Sequence, residues 1–182
     1  MLICQYVADG IKGDRAIEIL EARIKTEENL GIRFPIKTRK VTGDFGYWTA
    51  LAHDWGIEDL VIVEHDIVVA QQHIQSFEIC RYPFCTVPYK MPDGQWSLFD
   101  MQQSDLFDGL PTITMVNRPT QYSEGSGLGL VRITRAGLRL IPMARIQPLH
   151  WSVIDLWISN FMKENLFIPW HVHYPPCHQV HS

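Results

Sequence analysis

No apolar stretch of this chain approaches the roughly 20 residues that a helix needs to cross a bilayer, so a membrane span is not expected. A surplus of basic charge is also missing. Sixteen basic residues stand against 20 acidic ones, a net charge of −4, which gives no electrostatic case for nucleic acid or an anionic membrane surface. The four cysteines form no CxxC pair and no zinc-finger spacing. Free thiols in a reducing compartment are the simplest account, which points to the cytoplasm. Met1–Asp9 has neither a basic leader nor an apolar run long enough for a signal peptide, and reads as a first strand. No repeat or low-complexity tract is visible. The Gly125-Ser-Gly-Leu-Gly129 stretch matches neither the dinucleotide nor the P-loop spacing, and it precedes a strand rather than a helix. It reads as a flexible loop.

What is present suits one globular domain. The 182 residues are 46% hydrophobic and 20% charged, enough for a sizeable core. Residues 2–8 form a strand candidate. Asp14 is a good N-cap for a helix to about Glu28, with Ala16, Ile17, Leu20 and Ile24 at the spacing of a buried face and charges on the other. Asn29-Leu30-Gly31 stops it. A more polar strand, nearer an edge, is expected over 36–42, a helix over about 46–55, and a strand from Leu60. A helix over about 70–80 and a strand around 84–89 follow. This alternation is that of a parallel α/β sheet, and such sheets bind ligands beyond the carboxyl ends of their strands. The second half is less regular: 91–127 is rich in Pro, Gly, Asp and Gln, a strand follows at Leu130, and a helix is expected over 150–165. Its buried face should carry Val153, Ile154, Trp157, Ile158 and Phe161.

Residues 60–69 hold the most informative pattern. Leu60-Val-Ile-Val-Glu64-His65-Asp66-Ile-Val-Val69 places two carboxylates inside a β-branched run. Continued as a strand, it puts Glu64 and Asp66 on one face, about 6.5 Å apart, with His65 on the other. Their repulsion is about 2.5 kcal/mol at an effective dielectric of 20. Such a pair calls for a compensating cation, from a metal or a substrate. The alternative is that the strand ends at Val63 and the acids meet water, against which the return to Ile67-Val68-Val69 argues.

The tail, Trp170-His-Val-His-Tyr-Pro-Pro-Cys-His-Gln-Val-His-Ser182, carries four of the eight histidines. Its prolines favour an extended path, so His171 and His173 share one face and either or both could reach a metal. A solvated tail is the other reading, and His178 and His181 lie beyond the Pro-Pro bend. Glu64, Asp66 and one imidazole would make a mixed oxygen and nitrogen set, which suits Mn²⁺; Mg²⁺ prefers oxygen alone, and Zn²⁺ would also accept it.

The chain resembles GT-A-fold glycosyltransferases, especially small family-2-like ones. The likeness runs through Gly46-Tyr47-Trp48, Leu51 and Trp55, then the Leu60–Val68 segment. It continues at Cys80, Pro83-Phe84-Cys85 and Pro88-Tyr89, then Gly127-Leu128-Gly129, Trp151 and Asp155, and the His-x-His-x-Pro tail. The resemblance implies a three-layer α/β/α, Rossmann-like, mostly parallel sheet in one domain over 1–182, with an irregular C-terminal half. Residues 1–90 would bind the nucleotide sugar, and 91–182 would form the acceptor half and His-rich tail. It implies transfer of a sugar from a nucleotide-diphosphate sugar to a hydroxyl acceptor, with Glu64-His65-Asp66 as a variant Asp-x-Asp metal motif. His171 or His173 would be the late ligand and Asp155 the acceptor-activating base. Asp9, Asp44 and Tyr47 could contact base or ribose, although N-capping or turn formation also explains them. Trp96 and Tyr122 could stack on a sugar or pack in the core. The alternatives are a non-catalytic metal or nucleotide-sugar binding domain of the same fold, and a zinc-dependent hydrolase using the His-rich tail.

Overall fold

The computed structural model describes residues 1–102, 111–143 and 153–180. In chain order the elements are β1 (Leu2–Ala8), α1 (Asp14–Leu30), β2 (Ile36–Val41), α2 (Gly43–Asp54), β3 (Leu60–Glu64), β4 (Ile67–Val68) and α3 (Gln71–Ile79). There follow β5 (Phe84–Thr86), β6 (Leu98–Gln102), β7 (Thr112–Met115), β8 (Tyr122–Ser123), β9 (Gly125–Ser126) and β10 (Leu130–Ile133). The chain closes with α4 (Arg135–Leu140), α5 (Ile154–Phe161), β11 (Trp170–Val172) and β12 (His178–Gln179).

Seven strands make a central sheet in the order β2-β1-β3-β10-β5-β11-β8. Five run in one direction; β10 and β8 oppose them, so the sheet is mostly parallel, as expected. β10 inserts between β3 and β5, and the sheet therefore draws strands from both sides of residue 90. The polar strand β2 is at the edge, as its composition suggests. Leu60, Val61, Ile62 and Val63 of β3 are all fully buried, which is why this strand reads as an unbroken apolar run. Their side chains alternate between two cores. Leu60 and Ile62 join Leu51 of α2, Leu138 of α4 and Ile154 and Ile158 of α5. Val61 and Val63 join Leu30 of α1 and Ile74 and Phe77 of α3.

Several expectations need correction. The run 60–69 is not one strand: β3 ends at Glu64, His65 and Asp66 form a turn, and β4 is a separate strand paired with β12. The glycines of 125–129 are not a flexible loop. Gly125 and Ser126 form β9, which belongs with β6 and β7 in a three-stranded antiparallel sheet, and all five residues are buried. The helix expected over 150–165 is α5 plus a π-helical turn, Met162–Leu166. Residues 150–152 lie outside the described residues.

The largest correction concerns α1. Its N-cap position is Gly13, and Asp14 is the first helical residue. Ile17, Leu20 and Ile24 are 58%, 58% and 45% exposed, whereas Glu18, Ala22, Thr26 and Leu30 are buried. Hydrogen bonding explains the inversion. Thr26 Oγ1 accepts from the Val69 N–H at 3.0 Å and donates to the Ile67 carbonyl at 3.4 Å, while Asn29 Nδ2 donates to the Val69 carbonyl at 3.3 Å. The helix thus satisfies the backbone beside β4, and the small Ala22 and Thr26 allow the approach. Turning the apolar stripe inward would leave the Val69 N–H and the Ile67 and Val69 carbonyls without these partners, at about 1–3 kcal/mol for each that stays buried and unpaired. We expect Thr26→Val, which orphans the Val69 N–H, to lower unfolding free energy by about 1–3 kcal/mol. Leu20→Gln should change it by no more than about 0.5 kcal/mol. Urea denaturation of both variants checks the pair, and the reverse order would restore the face read from the periodicity.

Candidate functional site

The carboxyl ends of β1, β2 and β3 contribute Ala8, Val41 and Glu64 to the wall of a cavity of about 560 Å³. That is the size of a small-molecule site, at the end of the sheet where such sites form. Tyr47, Asp66 and Asp155 line the same cavity. Four of the residues singled out from the sequence therefore meet in one place: Glu64, Asp66, Asp155 and Tyr47.

Glu64 is held from two sides. Its N–H donates to the Gly129 carbonyl at 2.8 Å, and its Oε2 accepts from the Tyr89 hydroxyl at 3.4 Å. The glycines make this possible, because a Cβ at Gly127 or Gly129 would run into the Tyr89 side chain. Burial, and then the charges of Asp66 and Asp155, push the Glu64 carboxyl up to about 8. Asp155, in the first turn of α5, accepts from the Leu156 N–H at 2.7 Å. Burial raises its carboxyl to about 6, against the pull of backbone hydrogen bonds.

Asp66 is almost fully buried and its compensating cation is Arg15, whose Nη2 lies 2.6 Å from Asp66 Oδ2. Gln179 Nε2 donates to the same oxygen at 3.0 Å, and the Val180 N–H donates to the Asp66 carbonyl at 2.9 Å. The tail therefore does return to the acids, but it presents Gln179 to them. Asp66 Oδ1 and Gln179 Oε1 are buried and have no hydrogen-bond partner among the described residues. Asp66 and Gln179 both line the cavity, and two acceptors without donors are atoms that could hold a cation. Once β3 ends, its alternation no longer holds, and His65 also lines the cavity instead of pointing away. Burial lowers its pKa, and the Arg15 charge adds to this against Asp66.

Tyr6, which lines the cavity beside Tyr47, rests on an anchored carboxylate beneath. Its hydroxyl donates to Asp54 Oδ2 at 3.1 Å, and Arg39 Nε donates to that oxygen at 2.9 Å. Burial alone would raise the Asp54 carboxyl; hydrogen bonds from Arg39, His53 and Cys4 bring it down to about 2.

His171 and His173 do not join Glu64 and Asp66, which corrects the expected ligand set. β11 is three strand spacings from β3, roughly 14 Å across the sheet. The two imidazoles instead meet Cys80, all three offering ligand atoms within 4.8 Å of one another. Burial pushes His173 down to about 4, with His171 and Arg132 adding to the effect, and burial also lowers His171. Asp9 is at the rim rather than in the lining: its Oδ2 accepts from Thr42 Oγ1 at 3.1 Å and its N–H donates to the Val41 carbonyl at 2.7 Å. The backbone of Asp44 is in the first turn of α2, next to the lining residue Gly43; its side chain lies outside the described residues. Trp96 sits under the Lys90 ammonium, 5.3 Å from the ring centroid, and Tyr122 is beside His171 with ring centroids 5.4 Å apart. Neither lines the cavity. His178 is exposed in β12, and His181 lies outside the described residues.

Sequence reasoning missed Arg15, Tyr89 and Gln179. Arg15 had a signal, because two acids in an apolar run require a cation and α1 offers several. Tyr89 and Gln179 had none, since both depend on long-range packing.

No family model matches the chain, and no curated protein matches it. Nine chains of solved structures do, among them A197 from STIV, with a TM-score of 0.56 and 14% sequence identity. The superposition covers 95% of this chain and 82% of that one, and at this identity the likeness is one of fold.

Proposed function

We propose that the protein is a GT-A-type glycosyltransferase, with the sheet and its flanking helices as a three-layer α/β/α arrangement and the cavity as its nucleotide-sugar site. The observation that carries the reading is the meeting of Glu64, Asp66 and Asp155 in one cavity at the carboxyl ends of parallel strands. Asp66 Oδ1, Gln179 Oε1 and the Glu64 carboxylate would hold a divalent cation. This is an all-oxygen set, so Mg²⁺ fits as well as Mn²⁺. Such a cation, when bound, neutralises a diphosphate leaving group. Arg15, with its side chain 42% exposed beside Asp66, adds positive charge where phosphates would sit. Tyr47 and Tyr6 offer ring faces to the base or sugar. Asp155, with a pKa near 6, is ionised at neutral pH and suited to take the proton of an acceptor hydroxyl in an inverting displacement.

The Arg15–Asp66 pair favours a second reading, a binding domain of the same fold without turnover, because Asp66 already has its counter-charge. Calorimetry with UDP- and GDP-sugars, with and without Mn²⁺, tests both. Metal-dependent binding that Asp66→Ala abolishes supports a nucleotide-sugar site, and no binding under either condition removes it. Asp155→Asn should keep that binding and lower sugar transfer or hydrolysis by about 100-fold or more. If the wild-type protein binds the donor and neither transfers nor hydrolyses it, the binding-domain reading holds instead.

The raised Glu64 carboxyl carries a stability signature. Its ordinary value is 4.5 and its folded value about 8. Below pH 4.5 the group is neutral in both states. As pH rises from there to about 8, ionisation favours the unfolded chain and stability drains away. Without divalent ions, Glu64→Gln should therefore melt several degrees above wild type at pH 8 and alongside it at pH 4. Equal melting of the two proteins at both pH values would refute a buried, uncompensated Glu64.

A further inference from the structure

Cys80 caps the C-terminus of α3, Cys85 lies in β5, and His171 and His173 flank Val172 at the end of β11. Parallel pairing of β11 with β5 sets His171 opposite Cys85. The fold thus gathers residues about 90 positions apart into one cluster at the edge of the second core. Cys80, His171 and His173 offer ligand atoms within 4.8 Å of one another, and Cys85 Sγ is 2.6 Å from Cys80 Sγ. None of the four cysteines is joined in a disulfide in the structure.

Ring packing accounts for part of the arrangement. Tyr82 stacks on His171 with centroids 4.2 Å apart, and Phe77 meets His173 edge to face at 5.7 Å. It does not account for the nitrogens. His171 Nδ1 and His173 Nε2 are buried and have no hydrogen-bond partner among the described residues. An orphaned buried polar atom costs about 1–3 kcal/mol, and here two of them sit beside a thiol pair. A ligand that takes imidazole lone pairs and thiolates together removes both costs.

We propose that Cys80, His171 and His173, with Cys85 as the fourth donor, bind a zinc ion that pins β11 to the α3–β5 connection. Two sulfurs and two nitrogens are the donor set that selects zinc over Mg²⁺ or Ca²⁺. Ligands of a tetrahedral zinc ion stand roughly 3.5 Å apart, so Cys80 and the two imidazoles need to close by about 1 Å, while Cys85 Sγ, 2.6 Å from Cys80 Sγ, needs to move away from it by about as much. On binding, the two thiols release their protons to solvent as thiolates. The site is separate from the carboxylate cavity, but it has a consequence there. By fixing β11 it fixes where the following tail turns back, and that tail carries Gln179 to Asp66.

The test is metal analysis of the full chain, purified under reducing conditions, dialysed against Zn²⁺ and then against metal-free buffer. One equivalent of zinc should remain and raise the melting temperature. Cys80→Ser and His173→Gln should each weaken zinc binding by more than about 100-fold. Asp66→Asn should retain the full equivalent, which separates this site from the carboxylate cavity. Co²⁺ loaded in place of Zn²⁺ should show a thiolate charge-transfer band that Cys80→Ser loses. If Cys80→Ser does not fold, the wild-type protein with Co²⁺ still decides. No retained zinc, Co²⁺ without a thiolate band, zinc lost in Asp66→Asn but kept in His173→Gln, or a Cys80–Cys85 disulfide under the same reducing conditions would each overturn the proposal.

Discussion

The ion pair between Arg15 and Asp66, at 2.6 Å, lets this chain carry two carboxyls at the end of its most apolar strand. Asp66 has 4% of its side-chain surface exposed and Arg15 has 42%, so the pair spans the boundary between core and solvent. A carboxylate that deep would be heavily penalised alone, whereas an arginine at the rim gives up little hydration to reach it. Three separate parts of the chain depend on this contact. It fixes the N-terminal end of α1 against the β3–β4 turn, and Gln179 and Val180 dock on the same aspartate from the C-terminal tail. Glu64 has no such partner. Its only hydrogen bond from a side chain comes from neutral Tyr89, among the described residues, which is why its carboxyl is pushed up. Asp66 Oδ2 is committed to the ion pair, whereas neither oxygen of Glu64 has a charged hydrogen-bond partner among the described residues.

The buried strand β3 and the edge position of β2 were legible because burial on both faces leaves a simple trace. β3 is apolar at every position to Val63, β2 is polar where it meets solvent, and β1 lies between them. The meeting of Glu64 with Asp155 was within reach only through the family resemblance, which gave both a role in one site. The face of α1 was not. Periodicity reports where apolar side chains recur, but Thr26 and Asn29 serve backbone groups 40 or more residues away, and no local pattern encodes that demand. Arg15 was hidden for the same reason: with the apolar stripe assumed to be buried, the charges of α1 were assigned to solvent.

The histidines of the tail show how register limits such reasoning. Their two imidazoles do come together beside Cys80, each with a buried nitrogen that has no hydrogen-bond partner among the described residues. What spacing could not supply was the strand beside which they lie. Pairing of His171 with Cys85 in β5 sends both imidazoles to the thiols instead of the carboxylates. A displacement of three strands, about 14 Å, is far beyond the reach of any side chain.

That displacement also sorts the donor atoms by chemistry. Oxygen donors gather at the carboxyl end of β3 and the turn into β4, where Asp66 Oδ1 and Gln179 Oε1 have no hydrogen-bond partner among the described residues. Sulfur and nitrogen donors gather at β5 and β11. Hard cations such as Mg²⁺ and Mn²⁺ prefer the first set, and soft or borderline ones the second. Mixed in one pocket, the thiols would compete for any ion that the carboxylates were meant to hold. With β10 between β3 and β5, the two sets are kept apart, and under the two proposals each would select its own ion. Two described segments touch both: Cys85 to Tyr89, which runs from the thiols to Glu64, and the tail, which leaves His173 at one site and reaches Asp66 through Gln179 at the other. A zinc ion at the thiol end, as proposed, would order the tail six residues before Gln179, the residue that docks on Asp66 at the carboxylate end.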